Sequence, residues 1–207
     1  MTQPIPIHLA VEDELSEAVL RKVLSQSSRP FAVGTCFNRG GFGYIRKMIR
    51  GFNNAAKGTP FLILTDLDRI PCAPELTSTW LREPLHPNLM FRVAVREVET
   101  WLLADGAGLA KFLTIRRILV PGDVDAVSNP KECLIDLARR SPRRDLRQDI
   151  VPPPGSTRKI GPNYNGRLIS FVRDHWNLSA ATLSSPSLQR TVKAVASFVP
   201  VWGPQTT

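Results

Sequence analysis

The sequence lacks the residue patterns that usually build a zinc site or a disulfide-stapled fold. It contains three cysteines, which lie far apart and form no Cys-x-x-Cys pair: Cys36, Cys72 and Cys133. An odd number of widely spaced cysteines argues against a zinc ribbon and against a disulfide framework. The three histidines are also scattered along the chain. A histidine-based metal site is therefore not expected.

Long apolar runs and a leader-like N-terminus are also lacking. No stretch is long enough to span a bilayer, and Met1-Thr2-Gln3-Pro4 is not a basic region followed by an apolar one. We therefore expect a protein of the reducing cytoplasm with no membrane partner. The 207 residues, 43% of them apolar, correspond to one ordinary domain, or to one domain with a small appendage.

Acidic residues are scarce in the second half of the chain. Residues 111–207 carry 15 Lys and Arg against 7 Asp and Glu, whereas residues 1–110 carry 12 against 11. The net charge of +9 therefore comes mainly from the second half. Such a surface favours a polyanionic partner, with nucleic acid ahead of a membrane surface, although many basic proteins have no such partner.

Apolar runs alternate with amphipathic segments through the first half of the chain. The pattern predicts strands at 5–11, 30–35, 61–65 and 89–95, with helices at 15–24, 44–52 and 73–81 between them. This alternation is typical of an α/β fold with a largely parallel central sheet and helices on both faces. We assign residues 1–110 to this core.

Beyond residue 110 the alternation ends. The pattern predicts helices at 108–119, 130–138, 166–176 and 187–199, with a proline-rich loop at 151–157 as the best linker. The densest basic run, at 139–147, lies between the second helix and this loop. Residues 111–207 are therefore predicted to form a basic, mainly helical extension packed on the core.

Carboxylates follow three of the four predicted strands. Glu12 follows the first strand, Asp66 and Asp68 follow the third, and Glu97 and Glu99 follow the fourth. The ends of parallel strands meet at one edge of a sheet, where ligands often bind. Residues two apart in an extended chain point the same way, about 6–7 Å apart. Clustered carboxylates repel one another, and a bound Mg²⁺ or Mn²⁺ is the simplest group that stabilises them.

The acids that follow the first and third strands also have a structural explanation. Asp66 can cap a helix and Asp68 can be solvated, while acids at 12–14 suit the positive end of a following helix dipole. If a helix begins at Arg96, directly after the fourth strand, residues two apart point to different faces, and we slightly prefer Glu99 as the ligand over Glu97.

Several basic residues are candidates for contact with a nucleic-acid backbone. A glycine-rich turn at 38–43 contains Arg39 and can bring backbone N–H groups to a phosphate. It lacks the Gly-Lys-Ser/Thr ending of an ATP-binding P-loop, and a plain tight turn is the alternative. The other candidates are Lys131, Arg139, Arg140, Arg143 and Arg144. A run of this kind is most often a solvated face, but phosphate contacts explain it equally well here.

A strand ending in Glu12, a helix, and a later strand ending in Asp66-Leu67-Asp68 resemble the TOPRIM domain. That domain is shared by topoisomerases, bacterial primases, recombination proteins and the nuclease half of overcoming-lysogenization-defect nucleases. The likeness covers roughly residues 5 to 105, about half of the chain. It implies a TOPRIM-like fold.

A longer pattern is similar to a small stand-alone TOPRIM-like family. It consists of the Val-Arg-Glu-Val-Glu-Thr-Trp-Leu-Leu-Ala-Asp segment at 95–105, Lys131 after Asn-Pro, and Lys159 upstream of Tyr164. Members of that family are often encoded beside an ABC-type ATPase in bacterial defence loci. The resemblance implies a metal-dependent nuclease acting on DNA or RNA in phage defence, with an ATPase as partner.

The resemblance also implies roles for individual residues. Glu12 would bind metal or act as general acid and base, and Asp66 and Asp68 would be the metal-binding pair. Glu97 or Glu99 would match a further acid of the nuclease family. Lys159 would stabilise the transition state. One position departs from the pattern, because Asp13 stands where TOPRIM domains usually have glycine, and Asp13 itself is an alternative ligand.

Two other classes of function stay open. Asp-x-Asp motifs also occur in haloacid-dehalogenase-type phosphatases and in nucleotide-sugar transferases, which are other magnesium-dependent enzymes. The phosphatase is disfavoured because the motif lies on a middle strand and is followed by Arg69-Ile70. The second class is a non-catalytic subunit that binds nucleic acid or an ATPase; the number of acids retained argues against it. A homo-oligomer is compatible with either.

Overall fold

The structure is a computed structural model that describes residues 3–38 and 41–202. It divides into two compact units. Unit 1 comprises Met1–Ala94 and Arg190–Thr207, and unit 2 comprises Val95–Gln189. Among the described residues, no helix combines the length and the apolar character that crossing a membrane requires.

Unit 1 is built on a four-stranded parallel sheet. Its strands are β1 (Ile5–Ala10), β2 (Phe31–Phe37), β3 (Phe61–Asp66) and β4 (Leu89–Ala94). Their order across the sheet is β2-β1-β3-β4, and each neighbouring pair runs parallel. This confirms the predicted α/β class and the parallel sheet.

Helices join the strands of unit 1 in chain order. They are α1 (Glu14–Ser25), α2 (Gly41–Ala55) and α3 (Ala73–Trp80). The chain moves from β1 to β2 in one direction and from β2 to β3 in the other. Because such crossovers are right-handed, α1 and α2 cross opposite faces of the sheet. The four apolar residues that open β3 are no more than 3% exposed, as expected of a strand covered on both faces.

Helix α2 has one apolar face and one strongly basic face. Ile45, Ile49 and Phe52 are buried at the i, i+4, i+7 spacing of an amphipathic helix. The ring of Phe52 packs on Phe61 of β3 and on Phe37 of β2, with centroids 5.4 Å apart in both pairs. These contacts bury one face of α2 on the sheet and leave its basic face exposed.

A buried asparagine ties the end of the described chain to unit 1. Asn88 is fully buried, and its Nδ2 donates to the carbonyls of Ala56, at 3.1 Å, and Val201, at 2.8 Å. Its Oδ1 accepts from the N–H of Val201 at 2.7 Å. The ring of Phe198 also stacks on Phe31 of β2 at 6.4 Å. One side chain therefore satisfies backbone groups from two distant parts of the chain.

Unit 2 is helical. It contains α4 (Val98–Ala104), α5 (Gly106–Leu113), α6 (Pro130–Arg139), α7 (Arg144–Ile150), α8 (Tyr164–Asp174), α9 (Leu178–Ser184) and the first residues of α10 (Pro186–Ser197). Helix α4 packs on α6 and α9. The indole of Trp101 donates to Ser187 Oγ at 2.8 Å, and that of Trp176 donates to the Trp101 carbonyl at 3.1 Å. These bonds make α4 the centre of unit 2.

Three details differ from the sequence prediction. The helix predicted at 108–119 ends at Leu113, because Thr114 takes a left-handed conformation with φ of 57°, and a short 3-10 turn follows. Helices α7 and α9 were not predicted, since the seven residues of each are too few to show a period. The compact units divide after Ala94, not after residue 110. The reason is that α4 packs with other helices of unit 2.

Replacing Asn88 with alanine should lower the free energy of unfolding by about 1–3 kcal/mol, because the buried Ala56 carbonyl loses its donor. Urea denaturation measures this effect. Asn54→Ala, at an exposed position of α2, is the control and should change the stability little. Equal stability of the wild type and Asn88→Ala would show that the hydrogen bonds of Asn88 do not stabilise unit 1.

Candidate functional site

The carboxyl ends of β1 and β3 lie at the topological switch point of the sheet, where the order of successive strands reverses. Strand β1 pairs with β2 on one side and with β3 on the other. The connection after β1 therefore leads to one side of β1, and the connection after β2 leads to the other. In open α/β sheets, ligands bind outside the carboxyl ends of the strands at such a point. Glu12 follows β1 closely, and Asp66 is the last residue of β3.

The Glu12 side chain is held between these two strands. Its Oε1 accepts hydrogen bonds from Thr65 Oγ1 at 2.5 Å and from the backbone N–H of Asp66 at 2.9 Å. Thr65 is only 1% exposed, so its hydroxyl is fixed within the sheet. The second carboxylate oxygen, Oε2, takes neither of these bonds. Thr65 was not among the predicted site residues, although it is the one hydroxyl residue in the otherwise apolar run at 61–65.

Burial raises the pKa of Glu12 above the usual carboxyl range. The hydrogen bonds from Thr65 and Asp66 favour the charged form and oppose this effect. The negative charges of Asp68 and Asp13 raise the pKa further. Burial is therefore the main cause of the raised pKa, and the charge of Asp68 adds to it.

Asp68 lies in a turn and not in the strand. Strand β3 ends at Asp66, and the N–H of Leu67 donates to the Ala94 carbonyl at 2.9 Å. Asp68 then takes a left-handed conformation with φ of 50°. Aspartate is one of the few residues other than glycine that tolerates this region. The extended-chain argument for Asp66 and Asp68 is therefore wrong in detail, since only Asp66 belongs to the strand.

Asp13 caps helix α1. Its Oδ1 accepts from the N–H of Ser16 at 2.8 Å, which satisfies one of the free donors at the helix start. Asp13 thus has a local structural role at the position where the TOPRIM pattern usually has glycine.

Glu97 is fixed at the start of helix α6 within unit 2. Its Oε2 accepts from the backbone N–H of Lys131 at 3.0 Å. Pro130 is the first residue of α6, and Asn129 at the N-cap makes no side-chain capping bond. The Glu97 carboxylate therefore supplies the acceptor and the negative charge that a helix start favours.

Glu99 is the centre of a buried polar group in unit 2. It is 1% exposed, and its Oε1 accepts from Tyr164 Oη at 3.0 Å. Lys131 Nζ lies 3.5 Å from the same oxygen. Burying a carboxylate is costly unless a cation and hydrogen bonds compensate it. Here the lysine and the tyrosine supply both, and they bring together residues that the sequence analysis had singled out separately.

The remaining basic candidates are placed differently. Arg139 forms an ion pair with Asp136, and Arg143 pairs with Asp145, with Nη2 2.7 Å from Oδ2. Arg140, Arg144 and Lys159 are exposed, the last in the loop before α8. Arg39 lies outside the described residues.

The acids in the described part of unit 1 have the oxygen ligands that a hard cation prefers, but they do not form a complete coordination site. Among residues 3–38 and 41–202, the structure has no group of three or more His, Cys, Asp or Glu arranged to hold a metal ion. Mg²⁺, however, is often held by only one or two carboxylates together with water and phosphate oxygens. Glu12, Asp66 and Asp68 offer oxygen ligands at adjacent strand ends and fit that mode.

No family model, curated protein or solved structure matches the chain.

Glu12→Gln should raise the stability of the metal-free protein at pH 7–8. Because the pKa of Glu12 is raised in the folded chain, folding is favoured while Glu12 is protonated. That contribution is lost as the pH rises from the ordinary carboxyl range through the folded pKa. Glutamine keeps an acceptor for Thr65 and Asp66 without a buried charge. Thermal unfolding in EDTA measures the effect.

The stability gain of Glu12→Gln should shrink below about pH 4, near the ordinary pKa of glutamate. Glu75→Gln is the matched control, since Glu75 is exposed in the first turn of α3. A Glu12→Gln protein that is less stable than the wild type at every pH would contradict the assigned cause.

Tyr164→Phe should destabilise the protein by about 1.5–3 kcal/mol, because it removes a hydrogen bond to a buried charged group but keeps the ring. Urea denaturation measures this change. Tyr44→Phe is the natural control, since Tyr44 is the only other tyrosine and is only partly buried. If the two variants lose equal stability, the Tyr164–Glu99 bond does not stabilise unit 2.

Proposed function

We propose that this chain is a TOPRIM-like, metal-dependent nuclease that hydrolyses phosphodiester bonds in DNA or RNA. One observation carries the proposal: the Glu12 carboxylate is held by Thr65 and Asp66 at the switch point of a parallel sheet, where the charge of Asp68 also acts on it. The net charge of +9 supports a polyanionic substrate.

In this proposal, Asp66, Asp68 and Glu12 hold Mg²⁺ or Mn²⁺. A divalent ion in such a site neutralises charge on the scissile phosphate and lowers the pKa of bound water. Glu12 could also transfer a proton. Its raised pKa brings proton transfer at Oε2 closer to neutral pH, which suits a general acid or base.

The acids and lysines beyond Ala94 stay predictions within this proposal. Glu97 and Glu99 are further ligands by resemblance, and in unit 2 both already have structural partners. Lys159 would stabilise the transition state, and its exposure leaves it accessible to a substrate. A role in phage defence with an ABC-type ATPase follows from the resemblance alone.

A non-catalytic nucleic-acid-binding subunit is the second candidate. It is favoured by one observation, namely that no three acids or other ligand residues in the described part of the chain form a complete metal group.

Cleavage of supercoiled plasmid in Mg²⁺ or Mn²⁺ tests the proposal. Wild-type protein should nick or linearise the plasmid, and EDTA should abolish this activity. Asp66→Asn should lower the rate by at least about 100-fold, since even residues that only support a metal ligand cost 10–100-fold when changed. Asp136→Asn, an exposed acid of α6, is the control and should retain activity.

Two results would count against the nuclease. Equal cleavage by Asp66→Asn, Glu12→Gln and the wild type would remove the site from the account. No cleavage by a folded wild type that still binds nucleic acid would favour the non-catalytic subunit.

A further inference from the structure

The exposed face of helix α2 carries a stripe of positive charge that the proposed site does not use. Arg46, Arg50, Asn53 and Lys57 follow the i, i+4, i+7, i+11 spacing of one helix face, and Lys57 lies just past the helix end. The stripe is about 16 Å long at the helical rise of 1.5 Å per residue. With Lys47, the segment 41–58 has four cations and no acid.

The second wall of this surface is the chain that leaves helix α3. A cavity of about 220 Å³ lies between Arg46 and Arg50 on one side and Trp80 and Arg82 on the other. A second cavity of about 470 Å³ continues past Arg50 to Lys57. The cavities share lining residues, including Arg50 and Asn53, so they form one open groove, here called the α2 groove.

The walls of the α2 groove are fixed to each other. Asn53 Nδ2 donates to the Pro84 carbonyl at 3.1 Å, and its Oδ1 accepts from the His86 N–H at 2.7 Å. At the other end, Trp80 packs edge-on against Phe42 of α2, with ring centroids 4.7 Å apart. The groove is therefore present before any ligand binds, which reduces the cost of ordering on binding.

The charges of the α2 groove have little internal compensation. Among the described residues that line the two cavities, Glu83 is the only acid, and its Oε1 lies 2.9 Å from Arg50 Nη2. The two side chains are 58% and 81% exposed, so this pair is weak and can exchange for a phosphate. Arg46 and Arg50 also repel each other at i, i+4.

The basic run at 139–147, which is denser in the sequence, has more compensation. Arg139 and Arg143 each form an ion pair with an aspartate. Asp145 also pairs with Arg167 of α8, with Oδ2 3.2 Å from Nη2. Part of the charge in that run is therefore used within unit 2.

We propose that the α2 groove is the surface that grips the phosphate backbone of a nucleic-acid strand. Its cations are spread along a line and do not converge on one point, which suits successive phosphates better than a single small anion. Trp80 is only 6% exposed, so it offers no ring face on which a base could stack. The cations would contact phosphates, which carry no sequence information, so we expect binding that does not depend on sequence. The inference rests on the proposed function only for the identity of the polyanion, and not on cleavage.

Binding of a fluorescent 30-nucleotide single strand and of the matching duplex tests the inference. The measurement is made in EDTA between 50 and 200 mM salt. The groove variant is Arg46→Gln, Arg50→Gln, Lys57→Gln. The matched control is Lys111→Gln, Arg116→Gln, Lys193→Gln, which changes three exposed cations outside the groove. Both remove three positive charges. The groove variant should lose at least about tenfold in affinity. For the duplex, the plot of log affinity against log salt concentration should become shallower by about 2–3, because each lost phosphate contact contributes about 0.9 to its slope. The control should stay closer to the wild type on both measures.

Two further variants separate charge from folding. Arg46→Lys, Arg50→Lys, Lys57→Arg keeps the charge and should retain most of the affinity. Glu83→Gln removes the competing acid and should tighten binding about 1.4- to 5-fold, which corresponds to the 0.2–1 kcal/mol of an exposed ion pair.

Several results would overturn the inference. The groove variant could keep the affinity and salt slope of the wild type, or the control variant could lose as much affinity as the groove variant. The wild type could bind anionic lipid vesicles in place of nucleic acid, or could bind neither strand. The test is distinct from that of the nuclease, because EDTA prevents cleavage. Groove-dependent binding without cleavage in Mg²⁺ would contradict the nuclease alone, whereas cleavage with a fully binding groove variant would contradict the groove alone.

Discussion

The candidate site depends on the position of one half-buried carboxylate. Glu12 leaves β1 and is held by the hydroxyl of Thr65 and the N–H of Asp66, both on the neighbouring strand. This arrangement requires β1 and β3 to be adjacent and parallel, and so requires the chain to pass β1 on its way from β2 to β3. The raised pKa of Glu12 follows from the same burial. The order of the strands therefore sets both the position and the raised pKa of Glu12, on which the proposed chemistry depends.

The sequence predicted the parts of unit 1 that follow from local pattern. Apolar runs separated by amphipathic helices predicted the parallel sheet, and the position of acids directly after the runs predicted that Glu12 and Asp66 share an edge. The pattern did not predict the turn at Asp68, because a left-handed residue leaves little trace in periodicity. It also missed the role of Thr65, which only the pairing of β1 with β3 reveals.

Tertiary contacts explain what the sequence could not show in unit 2. Glu99 and Tyr164 are 65 residues apart, and their bond depends on how α4 and α8 are placed. The Glu-x-Glu spacing predicted metal ligands at 97 and 99, whereas within unit 2 one caps α6 and the other is buried with Lys131 and Tyr164. The density of basic residues along the sequence likewise predicted phosphate contacts at 139–147, whereas in the structure aspartates neutralise part of that charge.

Direct binding of Mn²⁺ tests the central claim that Glu12, Asp66 and Asp68 form a cation site. Electron paramagnetic resonance counts bound Mn²⁺ with and without a short oligonucleotide, whose phosphates complete the oxygen ligands of such an ion. We expect the wild type to bind Mn²⁺, more tightly when the oligonucleotide is present. Asp66→Asn should lose this binding and Asp136→Asn should keep it. Equal Mn²⁺ binding by Asp66→Asn and the wild type, or none by the wild type with the oligonucleotide present, would contradict the claim.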